Sequence, residues 1–173
     1  IKYCTVLSVD NYNIYPRLFV PNIKRIYSVV KTCQKLNLMI TSAGVNPTIN
    51  LKKSIRKLKN FKSLKELDLY CATLTAIKKR DMEEFVKMLK PLRDLRGLHL
   101  NFLETALSTD SLNVFYGFHA LPKLSSLVLK LPSRRYIKET KEMTLEKIHK
   151  KCREFGAYKK SLKELEFTVK HED

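Results

Sequence analysis

Short stretches in which apolar and polar residues alternate recur six times along the chain. The sharpest copy runs Leu64-Lys65-Glu66-Leu67-Asp68-Leu69-Tyr70-Cys71-Ala72-Thr73-Leu74. Leu64, Leu67 and Leu69 align with Leu95, Leu98 and Leu100, with Leu124, Leu127 and Leu129, and with Leu162, Leu165 and Phe167. Cys33, Leu36 and Leu38 form a looser copy, and Cys4, Leu7 and Val9 a sixth. The central positions 7, 36, 67, 98, 127 and 165 are 29, 31, 31, 29 and 38 residues apart. Alternation with a period of two predicts a half-buried strand at each copy, its apolar set facing inward. An interval of about 30 residues holds one strand, one helix and two turns, and recurrence at a near-fixed interval predicts a solenoid.

The segments between copies carry helical spacing. Asp81 with Glu84 reads as a capping box ahead of Met82, Phe85, Leu89 and Leu92, and Pro91 ends that helix. Leu51, Ile55, Leu58 and Phe61 form a second stripe. Asp110 caps a third over Leu112, Phe115 and Phe118, and Thr144 a fourth over Leu145, Ile148, Cys152 and Phe155, closed by Gly156. Pro21 suits the first turn of a helix that carries Ile23, Ile26, Val30 and Cys33.

These strand copies and helical intervals resemble the leucine-rich repeats, most closely the ribonuclease-inhibitor-like class. Ala72 stands where that family usually has Asn or Cys, and Thr41, Leu103, Pro132 and Lys170 stand there in other copies. The resemblance implies an α/β fold: a right-handed solenoid of about six repeats, with parallel strands on a concave face and helices on a convex one. It also implies work as an interaction surface.

With 173 residues and 44% hydrophobic content, the chain reads as a single domain over 1–173 with a continuous core. It opens at Ile1 and stops at Asp173 soon after the last strand copy, and so reads as a fragment of a longer chain whose final apolar layer is covered by more chain or by a partner. No apolar run reaches the roughly 18 residues of a membrane helix, so no membrane span is expected. Cys4, Cys33, Cys71 and Cys152 lack metal-ligand spacing and read as reduced core thiols of an intracellular protein; only Cys4 and Cys33 would stack close together.

No catalytic constellation emerges. Gly44, Gly97, Gly117 and Gly156 build no phosphate-cradling loop, and His99, His119, His149 and His171 are scattered. The expectation is a protein that is not an enzyme, with no cofactor, no metal and no small-molecule substrate.

Charge redirects attention to the surface. The net charge is +17 and the isoelectric point about 9.8, with 25 Lys and 9 Arg. Yet the strand residues expected on the concave face are Asp10, Lys35, Glu66, Asp68, Lys130, Glu164 and Glu166, five acids against two bases. The excess positive charge must therefore lie on helices and loops. The densest groups are Lys52, Lys53, Arg56, Lys57, Lys59 and Lys62, and Lys150, Lys151 and Arg153, which are candidate phosphate contacts if RNA is a partner. They lack interleaved aromatics for base stacking.

Two surfaces are candidates for binding protein. The concave ladder comprises Asn37, Met39, Glu66, Asp68, Tyr70, His99, Asn101, Val128, Lys130, Glu164 and Glu166, and six strands at about 4.8 Å spacing make it roughly 25 Å across. Its acids mixed with Met39, Tyr70 and Val128 suit a basic, partly apolar protein segment. The longest interval adds a loop at 131–140 that holds Arg134, Arg135 and Tyr136. The leading reading is a scaffold or interaction subunit of a larger complex. An RNA-associated protein docking through basic convex helices is the alternative, and a substrate-presenting adaptor of an enzyme is third.

Overall fold

The computed structural model describes residues 6–9, 33–41, 58–72, 77–132, 137–138, 150, 153–154 and 161–169. Six of its strands form one sheet: β1 (Val6–Val9), β2 (Lys35–Thr41), β3 (Glu66–Ala72), β4 (Gly97–Glu104), β6 (Ser126–Leu131) and β8 (Glu164–Val169). They lie side by side in chain order, and each pairs in parallel with the next. The register pairs Leu7 with Leu36, Leu36 with Leu67, Leu67 with Leu98, Leu98 with Leu127 and Leu127 with Leu165. Those are the central positions of the six aligned copies. An α/β fold with a parallel sheet follows from this pairing and from the helices packed on it.

Alternation decides which way each column faces. Leu36, Leu67, Leu98 and Leu127 are buried, as are Leu38, Leu69, Leu100 and Leu129 two residues later. Helix α1 (Lys79–Leu89) covers this side with Met82, Phe85, Val86 and Leu89, joined by Leu92 from the following turn. Phe85 meets Phe118 edge to face, with ring centroids 6.4 Å apart at 90°. The α1 start corrects one expectation: Lys78 is the N-cap residue, and Asp81 sits at the third helical position, where its carboxylate accepts the Lys78 N–H at 3.1 Å. Lysine has no side-chain acceptor, so this single bond does the capping. Pro91 follows one residue after the C-cap Lys90.

Asp110 likewise lies inside a helix rather than capping it. Helix α2 (Thr109–Asn113) lasts five residues and tightens into a 310 turn over Val114–Ala120. A Cβ at Gly117 would fall 2.6 Å from Val86 Cγ1, so the absence of a side chain lets this turn approach α1 and bring Phe118 onto Phe85. Leu58 and Phe61 are buried around a short 310 turn at Leu58–Asn60, whereas Leu51 and Ile55 lie outside the described residues. The helices expected after Pro21 and Thr144 also fall almost wholly outside them. Of the cysteines, Cys33 and Cys71 are buried, and Cys4 and Cys152 are not among the described residues. Burial pushes the Cys71 thiol up, so it stays protonated.

A second, smaller ladder is absent from the sequence reading. Strand β5 (Leu107–Ser108) pairs in parallel with β7 (Ile137–Lys138), and Ile77 bridges to Leu107. Ile77, Leu107 and Ile137 are each 30 residues apart, so this ladder keeps the same period on two-residue strands too short to show alternation. Part of the 131–140 loop is thereby strand. Between the ladders the β3–β4 register slips, from Tyr70 opposite Asn101 to Ala72 opposite Glu104. Side chains take over the displaced backbone groups: Asn101 Oδ1 accepts the Leu103 N–H at 3.1 Å, and the buried Thr105 hydroxyl donates to the Cys71 carbonyl at 2.6 Å.

Thr105 is fully buried, so removing its hydroxyl leaves the Cys71 carbonyl without that donor. Urea unfolding should show Thr105→Val less stable by about 1–3 kcal/mol, with Thr105→Ser retaining most of the difference. Equal stability of the Val and Ser variants would show that this bond does not hold the bulge.

Candidate functional site: the groove over the sheet

The face of the sheet opposite α1 carries three residue rows, and register assigns their members from β2 to β8. Lys35, Glu66, Gly97, Ser126 and Glu164 form the first; Asn37, Asp68, His99, Val128 and Glu166 the second; Met39, Tyr70, Asn101, Lys130 and Thr168 the third. The second and third rows, apart from Thr168, line an open groove of about 610 Å³, over a strand floor at Leu38, Leu69 and Leu100. Ten of the eleven ladder residues read from the sequence line it together with Glu164: Asn37, Met39, Asp68, Tyr70, His99, Asn101, Val128, Lys130 and Glu166 are the other nine. Glu66 does not. It stands at the head of β3, and its stem leans over Gly97, whose Cβ would come within 3.3 Å of Glu66 Cγ.

Glu66 is instead committed to Lys35. Lys35 Nζ lies 2.9 Å from Glu66 Oε2 and 3.7 Å from Asp68 Oδ2, and the hydrogen bond to Glu66, followed by the charge of Asp68, raises the Lys35 pKa above its ordinary value near 10.5. The lysine therefore remains a cation at neutral pH and offsets two carboxylates at one end of the face. On the other side of Asp68, Oδ1 sits 2.6 Å from His99 Nδ1. This is an ion-pair contact, and Oδ1 has no partner in hydrogen-bond geometry among the described residues; two lone pairs at that distance would repel, which favours the proton on Nδ1. Glu164 accepts a hydrogen bond from the Ser126 hydroxyl at 2.7 Å. Glu166 is exposed and has no ion pair among the described residues.

The apolar component has two parts. Met39 and Tyr70 are half-buried side by side on β2 and β3, and Val128, 8% exposed, lies on β6 beyond β4. The groove thus combines three partly apolar side chains with the carboxylates of Asp68, Glu164 and Glu166, against the single groove cation Lys130. Such a surface can take up a chain segment whose cations meet the acids while its apolar side chains cover Val128 and Tyr70. Among the described residues no group of three or more His, Cys, Asp or Glu side chains could hold a metal ion.

The remaining sequence candidates do not join the groove. Arg134, Arg135 and Tyr136 lie outside the described residues, as do Lys52, Lys53, Arg56, Lys57 and Lys151. Lys59 and Lys62 are exposed on the turns ahead of β3, and Lys150 and Arg153 are exposed in helical positions. Lys35 is the residue that sequence reasoning undervalued. Its role follows only from register, which puts it beside Glu66 and diagonal to Asp68.

The Asp68 contact makes a spectroscopic prediction. Long-range 15N–1H correlation of the imidazoles should show neutral His99 as the Nδ1–H tautomer, and Asp68→Ala should shift it toward the Nε2–H form usual for free histidine. An unchanged His99 tautomer in Asp68→Ala would refute an influence of the Asp68 contact on the imidazole proton. No protein-family model matches this chain, and no curated protein matches it.

Proposed function

We propose that this chain is a non-enzymatic protein-interaction or scaffold subunit of leucine-rich-repeat type, a solenoid of about six repeats whose groove holds a basic, partly apolar segment of a partner protein. The observation that carries the reading is the groove's composition. Asp68, Glu164 and Glu166 share the groove with Met39, Tyr70 and Val128 on a face that is acidic in a chain of net charge +17. A basic chain that gathers several carboxylates on this face selects there for cations, and the prevailing positive charge elsewhere discourages binding of the same segment at other places.

The repeat reading draws support from the regular intervals of the paired strands and from the parallel, sequential order of the sheet. The structure also has no helix, among the described residues, long and apolar enough to cross a membrane. The non-enzymatic part rests on the makeup of the groove. His99 is its one imidazole, it is held by Asp68, and no serine, threonine or cysteine lines the groove beside it as a nucleophile.

Selection from a random peptide library tests this directly. The wild-type chain should enrich peptides with Lys or Arg flanking aliphatic or aromatic residues. Affinity for a selected peptide should fall at least about tenfold with Tyr70→Ala or Glu166→Lys, as expected for loss of an interface anchor, and stay within about twofold for Lys79→Glu on α1. Enrichment of acidic peptides, or equal sensitivity to Lys79→Glu, would overturn the proposal.

A further inference from the structure

Strands β3, β4, β6 and β8 are each entered through a turn, and the turns repeat a charge pattern. Lys62-Ser63-Leu64-Lys65 precedes β3, Arg93-Asp94-Leu95-Arg96 precedes β4, and Lys160-Ser161-Leu162-Lys163 precedes β8. The equivalent turn before β6 is Pro122-Lys123-Leu124-Ser125. The leucine in each tetrad points inward: Leu64, Leu95 and Leu124 are fully buried, and Leu162 packs partly buried against the same core. The described flanking residues of these tetrads are thereby left at the edge of the sheet.

Backbone bonds hold those flanks in line. The Gln34 carbonyl accepts both the Lys65 and the Glu66 N–H, the Lys65 carbonyl both the Arg96 and the Gly97 N–H, the Arg96 carbonyl both the Ser125 and the Ser126 N–H, and the Ser125 carbonyl both the Lys163 and the Glu164 N–H. Gln34, Lys65, Arg96, Ser125 and Lys163 thus occupy one register position on successive strands. At about 4.8 Å per strand, the three intervals from Lys65 to Lys163 cover roughly 14 Å.

Across residues 61–65, 90–96, 121–125 and 161–163 there are seven cations and one acid, Asp94, a net of +6. Lys123 pairs with Asp94, and Arg96 and Lys65 also act to lower the Asp94 carboxyl, so three cations converge on one carboxylate. Lys62, Lys90 and Arg93 share an open surface depression with Pro91, and none of the three has an ion pair among the described residues. The nearest acids of the sheet face, Glu66 and Glu164, are engaged by Lys35 and Ser126.

We infer that this cationic edge, at the N-terminal ends of the strands, is a second binding surface that takes the phosphate backbone of a nucleic-acid duplex, separately from the groove. The edge has the charge for it, and its other chemistry excludes rival occupants. Among the described residues of the edge, Phe61, Leu92 and Leu121 are buried, leaving no exposed aromatic for stacking unpaired bases and only the short side chains of Pro91 and Pro122 as exposed apolar surface, too little to anchor in a membrane. A row in which Lys65, Arg96 and Lys163 are interrupted only by Ser125, with no exposed aromatic among the described edge residues, matches a uniform line of phosphates better than the mixed surface of an acidic protein. Spaced at 3.4 Å per strand, about four phosphates of one strand span the 14 Å row. The groove acids beyond Glu66 and Glu164 repel the duplex and confine it to the edge.

The test is fluorescence anisotropy of the full chain with a labelled random-sequence DNA or RNA duplex. Four neutralised phosphates predict a plot of log affinity against log salt with a slope of about −3.5. The triple variant Lys65→Glu/Arg96→Glu/Lys163→Glu should weaken binding more than about tenfold, and the milder Lys65→Gln/Arg96→Gln/Lys163→Gln, chosen to preserve folding, should lower the slope by about 3. Reversing three charges on α1 instead, Lys79→Glu/Arg80→Glu/Lys87→Glu, should cost clearly less than the edge triple. No binding at low salt would overturn the inference. So would equal losses for the edge and α1 triples, displacement of the duplex by polyglutamate at matched charge, or tighter edge-dependent binding to phosphatidylserine vesicles. Retained duplex binding by Tyr70→Ala separates this surface from the groove.

Discussion

The constraint on which everything else depends is the register of one leucine column. Leu36, Leu67, Leu98 and Leu127 face each other across parallel strands and are sealed from water, and Leu7 and Leu165 continue the column. Side chains alternate along a strand, so a slip of one residue would carry the buried leucines to the groove and Asp68, His99 and Glu166 into the core. Fully burying each leucine stabilises by about 1.5–3 kcal/mol, and burying an unpaired carboxylate costs at least as much. The column therefore selects its own register, and that register distributes the polar residues.

Two chemically opposite surfaces result from a single repeat. Residues one and three places after each central leucine form the groove, where acids and a few apolar side chains collect. Residues two places before it form the edge, where lysine and arginine collect. A net charge of +17 looks uniform in composition, but the strand geometry sorts it, and the acidic groove and the basic edge lie only a few residues apart along each strand. Within the groove, Asp68 is shared between Lys35 and His99, which links the two polar rows at its centre.

The parts of the fold legible in the sequence are those governed by repetition. Six strands and their alignment follow from leucines at i, i+3 and i+5, since a period of two combined with a recurrence near 30 allows one stacking. The groove residues were readable for the same reason, as the polar partners of those leucines. Glu66 escaped because its fate depends on two non-local facts: the gap over Gly97 and the reach of Lys35. The second ladder at Leu107 and Ile137 was illegible because two residues show no alternation. The α2 region read as one capped helix, whereas close approach of Gly117 to Val86 tightened it into a 310 turn, a packing effect that no local propensity encodes. The edge cations were visible as lysines and arginines but became a row only when the bifurcated backbone bonds aligned them.

The most direct test of the account is a set of inter-strand nuclear Overhauser contacts in a protein labelled to resolve the leucine amides. Shared register predicts contacts that place Leu67 beside Leu98 and Leu98 beside Leu127, together with Asp68 beside His99. Contacts displaced by one residue, with Leu67 beside Gly97 or His99, would contradict the leucine column and with it both surfaces.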